Sequence, residues 1–164
     1  MKKIVLSALS LLAVLICSAQ QMITDNPHDF PIVGEASRPT PIYVDPKDHW
    51  LVNHSVALLQ QDIERVTGVK PPVLTDLSSV PSIPYLIIVG SFDSSAIIQQ
   101  LLHRNLLPSG QKGKWESYTI KTVTQPLKGI GKALLIAGSD RRGTAYGVLE
   151  LSRQMGVSPW YYWA

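Results

Sequence analysis

Two uninterrupted apolar runs, YLIIVGS at Tyr85–Ser91 and KALLIAGS at Lys132–Ser139, constrain the fold of this chain more than any other feature. Successive side chains of a strand point to opposite faces, so a run without a polar position must be covered on both sides. Both runs therefore belong in the interior of a sheet. With 164 residues, the chain has room for one ordinary domain around that sheet.

The flanking segments supply the cover. PIYVD (Pro41–Asp45) reads as a short strand, and a helix follows through HWLVNHSVALLQQDIERVTG, with Asp48 as its cap and Gly68 as its stop. Val52, Val56, Leu59, Ile63 and Val66 recur at helical spacing and form its inward stripe. PPVLTD (Pro71–Asp76) is a second short strand, and SSAIIQQLLHR a short helix with Ala96, Ile97 and Leu101 inward. Alternation in ESYTIKTV (Glu116–Val123) marks a strand with one solvated face, and TQPLKGIGK (Thr124–Lys132) is the turn into the second apolar run.

The last helix, DRRGTAYGVLELSRQMG, places Ala145, Val148, Leu149, Ser152 and Met155 on one stripe. Gly143 and Gly147 each cost about 1 kcal/mol of helix propensity against alanine, so their helix must approach a neighbour closely. The order is β-α-β-β-α-β-β-α: an α+β or α/β sandwich, with a mixed sheet of about five strands packed with about three helices.

Residues 1–19 stand outside this pattern. Lys2 and Lys3, the apolar stretch IVLSALSLLAVLIC and the small residues Ser18 and Ala19 make up a secretory signal, cleaved between Ala19 and Gln20. The mature chain is expected to be secreted or periplasmic, without a membrane anchor. The competing reading is a lipoprotein acylated at Cys17, but bulky Ile16 stands where a small residue is wanted. Removing the signal takes away the only cysteine and lowers the formal charge from +3 to about +1. Residues 20–40, rich in Pro, Asp, Asn and Gly, form an irregular leader, and 41–164 the domain proper. No run of Lys and Arg with interleaved aromatics is present, so a nucleic-acid partner is not expected.

Most motif-like stretches fail their chemical tests. GIGKALLIAG contains Gly129 and Gly131 but precedes its strand and lacks a third fingerprint glycine, and GSDRRG lacks the Lys-Ser/Thr pair of a phosphate loop. No cofactor is therefore expected. His28, His49, His54 and His103 have no metal-ligand spacing, so solvated or capping roles are expected and no metal. No nucleophile elbow occurs, and nothing singles out a pair among Asp45, Asp48, Asp76, Asp93, Glu116, Asp140 and Glu150. One cluster disagrees with its surroundings. Asp140 suits a helix N-terminus, whereas Arg141 and Arg142 oppose its dipole by a few tenths of a kcal/mol each. Such disagreement marks a substrate-binding candidate. In the alternative, both arginines pair with carboxylates of an adjoining domain or face water.

The stretch GSDRRGTAYGVLELSRQMGVSPWYYWA, with DIERVTG and LIIVGS upstream, resembles the end of the N-terminal domain of glycoside hydrolase family 115, the xylan α-1,2-glucuronidases. The resemblance runs from about Pro41 to Ala164; related domains precede the barrels of families 67 and 20. It implies that Trp160, Tyr161, Tyr162 and Trp163 lead into a (β/α)8 barrel, which carries the catalytic carboxylates and lies beyond this sequence. No catalytic residue is then expected in this chain, which reads as a truncated accessory domain. Its partners would be that barrel and a xylan-derived glucuronate. The whole enzyme would hydrolyse glucuronic or 4-O-methylglucuronic acid side chains of glucuronoxylan. The alternative is a stand-alone periplasmic carbohydrate-binding or interaction module that stacks sugars on the terminal aromatics.

The signal reading makes a direct prediction. Intact-mass analysis of the exported protein should place its N-terminus at Gln20, whereas a diacylglyceryl adduct on Cys17 would establish the lipoprotein instead.

Overall fold

The computed structural model describes residues 29–78, 80, 82–108, 110 and 113–158. The signal, His28 and the aromatic run Trp160–Trp163 thus lie outside the described residues. Five strands, β1 (Ile42–Val44), β2 (Val73–Leu74), β3 (Ile83–Ser91), β4 (Tyr118–Thr124) and β5 (Ile130–Gly138), form one sheet in the order β2-β1-β3-β5-β4. All neighbours are parallel except β4, which runs antiparallel to β5 at the edge. Three helices cover it: α1 (Trp50–Thr67), α2 (Ala96–His103) and α3 (Arg141–Gln154). The mixed five-stranded sheet with three helices is the architecture read from the sequence.

The apolar runs serve two cores at once. Ile87 and Val89 of β3, with Leu134 and Ile136 of β5, face α1 and α3. Leu86 and Ile88, with Ala133, Leu135 and Ala137, face α2. Each residue-by-residue alternation delivers every other side chain to a different layer. Phe30 and Ile32, in what reads as a leader, pack against the first core, and the Phe30 ring meets Tyr85 edge-on at 5.7 Å.

Several local expectations change in the folded chain. Asp48 is not the N-cap of α1: that is His49, without a side-chain cap bond, and the Asp48 carboxylate just before it accepts from the His49 N–H at 2.7 Å while also bonding Ser91. Val66 is 50% exposed although its angle suits the stripe, so the cover over α1 stops before its last turn. In α2 the buried pair is Ile98 and Leu101, while Ala96 is exposed. Ser95 caps the helix, and Ile98 packs where a Gly90 Cβ would come within 2.8 Å of it. β4 has no fully solvated face, since Ile120 packs toward one core and Val123 toward the other.

Helix α3 shows why glycine is needed. A Cβ on Gly143 would lie 2.3 Å from the Ser117 carbonyl oxygen, and one on Gly147 would lie 2.9 Å from the Ile136 side chain. The helix seats small residues on β4 and β5, burying Gly143, Thr144, Ala145, Gly147, Val148, Leu151 and Ser152. Leu149 is accordingly turned outward, 46% exposed, instead of joining the stripe. At the far end, Val157 N–H donates to the Ser152 carbonyl and Gly156 N–H to that of Arg153, with Gly156 at φ 92 closing the helix.

Gly143→Ala should therefore destabilise the domain despite its better helix propensity. Backbone crowding against Ser117 should outweigh the propensity gain and leave a net loss of about 1–3 kcal/mol, read as a lower midpoint in chemical denaturation.

Candidate functional site

The end of β5 holds the sequence-derived candidates. Asp140 is the N-cap of α3: its Oδ1 accepts from Arg142 N–H at 2.9 Å and from Gly143 N–H at 2.8 Å. Its Oδ2 reaches across to the Glu116 N–H at 3.0 Å. Desolvation pushes the Asp140 carboxyl up, but the N–H bonds from Gly143, Glu116 and Arg142, helped by the Arg142 charge, hold it below the usual carboxylate range. Ser117 and Ser139 complete the junction by exchanging two hydrogen bonds, Ser117 N–H to Ser139 Oγ and Ser139 N–H to the Ser117 carbonyl.

Glu116 is the member that sequence reasoning left unassigned. Its carboxylate pairs with the Arg142 guanidinium at 2.9 Å, and Arg142 also hydrogen-bonds Tyr146. The antiparallel register carries the signal. Tyr118 faces Gly138, and two further steps set Glu116 opposite Asp140. Arg142 at a helix N-terminus is thus tolerated because two carboxylates, Asp140 and Glu116, neutralise its surroundings. Arg141 is exposed and has no carboxylate partner among the described residues. Asp140, Arg142 and Glu116 are brought together, with Arg141 on the solvent side.

A second polar group sits where β1 and β3 end. From β1 the chain moves outward to β2, and from β3 it moves the other way, so their carboxyl ends form the switch point where open α/β sheets hold ligands. Here the crevice is spanned from within. Asp48 accepts from Ser91 N–H at 2.8 Å and Ser91 Oγ at 2.6 Å. Asp45 accepts from Lys47 N–H at 2.9 Å and from Ala96 N–H, at the start of α2, at 3.1 Å. His49, Asp93 and Ser94 lie beside them, but Asp93 Oδ2 at 3.3 Å and Ser94 Oγ at 3.0 Å both meet the same ring nitrogen, Nε2. A nucleophilic relay needs the acid and the hydroxyl on different nitrogens, so this group cannot run one.

The remaining acids are also engaged. Asp76 closes a turn onto Ser78, and Glu150 takes two bonds from Arg153 and one from Gln154, which bring its pKa down to about 2. Among the described residues, the carboxylates with a displaced pKa, Asp76, Asp93, Asp140 and Glu150, are displaced downward. A glycosidase general acid needs the opposite displacement. His54 stacks on Trp50 with ring centroids 5.0 Å apart, and His103 lies in the last turn of α2. Among the described residues no cluster of three or more His, Cys, Asp and Glu could hold a metal ion.

Asp140→Ala should cost about 1–2 kcal/mol at neutral pH, because it removes the cap and the tie to Glu116 together. The folded pKa is lowered, so the stabilisation is present above the unfolded value of 3.8 and is lost as pH falls through the folded one. Denaturation of both proteins at neutral and strongly acidic pH should show the difference shrinking toward acid.

No family model and no curated protein matches the chain. Among solved structures, it is similar to the family GH115 4-O-methyl-α-glucuronidase BtGH115A, which has specificity for decorated arabinogalactans; the TM-score is 0.60 and the identity 33%. That match covers 76% of this chain and 14% of BtGH115A, so this chain spans only a small part of that enzyme's length. A weaker likeness joins it to CpGH84D, with TM-score 0.49 and 8% identity over 73% of this chain and 18% of that one, and nothing rests on it. At 33% identity over 76% of this chain, the chain is similar to a small, domain-sized part of a glycoside hydrolase of family 115.

Proposed function

We propose that this chain is the accessory N-terminal α/β domain of an exported α-glucuronidase, whose catalytic (β/α)8 barrel belongs to the same polypeptide. The observation that carries this reading is the 33% identity to BtGH115A over 76% of this chain against 14% of that enzyme. The chemistry within the domain supports the same division of labour. Its described carboxylates accept backbone and side-chain hydrogen bonds that tie loops together, and among the described residues none is set up as a protonated acid opposite a water-activating base. Hydrolysis with inversion would fall to two barrel carboxylates spaced widely enough to admit a water.

The whole enzyme would release glucuronic or 4-O-methylglucuronic acid side chains from glucuronoxylan. Decorated arabinogalactan, on which BtGH115A is specific, is the second polymer to assay. Arg141 and Arg142 would hold the uronate carboxylate at the barrel mouth, with Arg142 oriented by Glu116 and Tyr146.

The full chain should release no glucuronic acid from either polymer, and a longer product of the same reading frame should release it. Turnover by the chain alone, abolished by changing one of its own carboxylates, would overturn the reading. In the longer enzyme Arg142→Ala should weaken substrate binding by about 1.5–3 kcal/mol with little change in melting temperature. A lower melting temperature with an unchanged KM would instead make Arg142 an interdomain contact.

A further inference from the structure

The end of the sheet opposite Asp140 carries an open cleft of about 500 Å3 between the C-terminus of α2 and the β4–β5 turn. The turn is rigid for local reasons. Gln125 sits at φ 49 and its N–H donates to the Gly131 carbonyl at 2.8 Å. Ile130 N–H closes onto the Leu127 carbonyl at 3.1 Å, with Gly129 at φ 84, which sets Lys128 at the exposed corner. The Gly129 carbonyl is then held by Ile83 N–H at 2.9 Å and Ser82 Oγ at 3.1 Å. A side chain on Gly131 would meet the Pro84 carbonyl at 2.8 Å, so this position keeps the floor of the cleft bare.

Arg104, the residue that ends α2, forms the other wall and donates one guanidinium N–H to the Pro126 carbonyl. A guanidinium has five N–H donors, so several remain for a ligand. Neither Arg104 nor Lys128 has an ion-pair partner among the described residues, and no carboxylate lines the cleft. The volume suits a small polar molecule. Phosphate sites depend on converging backbone N–H groups, and those of Gln125, Ile130 and Ile83 are already engaged. A carboxylate can instead take the Arg104 fork and the Lys128 ammonium, with the Gln125 amide, and the Ser82 hydroxyl oxygen as an acceptor, left for sugar hydroxyls.

We propose that this cleft binds a carboxylate-bearing sugar unit, a uronic acid, either free or as a side chain of an oligosaccharide. The choice of a uronic acid among carboxylates rests on the proposed function; the cationic cleft itself does not. Calorimetric titration of the full chain tests it with four probes: glucuronic acid, a xylo-oligosaccharide bearing 4-O-methylglucuronic acid, the unsubstituted xylo-oligosaccharide and inorganic phosphate. The two acidic sugars should bind, more weakly as salt rises, and the other two should not. Binding of both acidic probes places recognition on the uronic acid itself, and binding of the oligosaccharide alone places it on the attached side chain. Lys128→Gln, on an exposed turn corner, should weaken binding about tenfold without shifting the melting temperature. Arg104→Gln should weaken it similarly, and Lys70→Gln, across the sheet, should not. Equal binding of the neutral sugar or of phosphate, no binding at all, or an affinity unmoved by Lys128→Gln would each overturn the proposal. If the chain fails to bind while the longer enzyme still releases glucuronate, only this inference falls. If it binds while the longer enzyme releases none, the accessory-domain reading falls instead.

Discussion

The parallel pairing of β3 with β5, in register from Ile83–Ile130 to Ser91–Gly138, is the interaction on which the rest of the molecule depends. Its strands are buried on both faces, so their backbone polar groups can be satisfied only within the sheet and their side chains only by helices on either side. Two cores follow directly. One lies under α1 and α3, the other under α2 and the loops around Leu107 and Leu127. Burial of this kind also makes close backbone approach unavoidable where helices cross the strand ends. Gly90, Gly138, Gly143 and Gly147 all lie where a Cβ would come within 3.0 Å of a neighbour.

Once the sheet is set, its acidic residues become structural. Asp45, Asp48 and Asp140 stand at the carboxyl ends of β1 and β5, where backbone N–H groups of the following loops and helices need acceptors. The Asp140 carboxyl, held below the usual carboxylate range by such donors, suits a fastener and not a proton donor. The absence of a working acid-base pair among the described residues is therefore a consequence of how the loops are tied.

The two ends of the sheet differ in charge character for the same reason. At the carboxyl ends Arg142 is matched by Glu116, while Arg141 faces solvent. At the other end, Arg104 and Lys128 come from a helix terminus and a hairpin corner, where no loop carboxylate is needed to hold the chain. Arg104 and Lys128 are thus left by folding without an ion-pair partner among the described residues.

Apolar runs and helical stripes determined the element order, the central place of β3 and β5 and the need for small residues along α3, because these depend on burial periods within one segment. The likeness of DIERVTG and the final stretch to family 115 was legible for the same local reason. Tertiary structure alone decided which polar groups meet. Asp48, one residue before the N-cap of α1, ties Ser91, 43 residues away, and Glu116 met Asp140 and Arg142 only through the antiparallel register of an edge strand. The facing of Ile98 was likewise settled by Gly90 of the neighbouring strand, and that of Leu149 by how closely the glycines of its own helix let α3 approach the sheet. Periodicity records what each segment must bury, but partners distant in sequence are chosen by strand pairing and by the shape of the surface beneath.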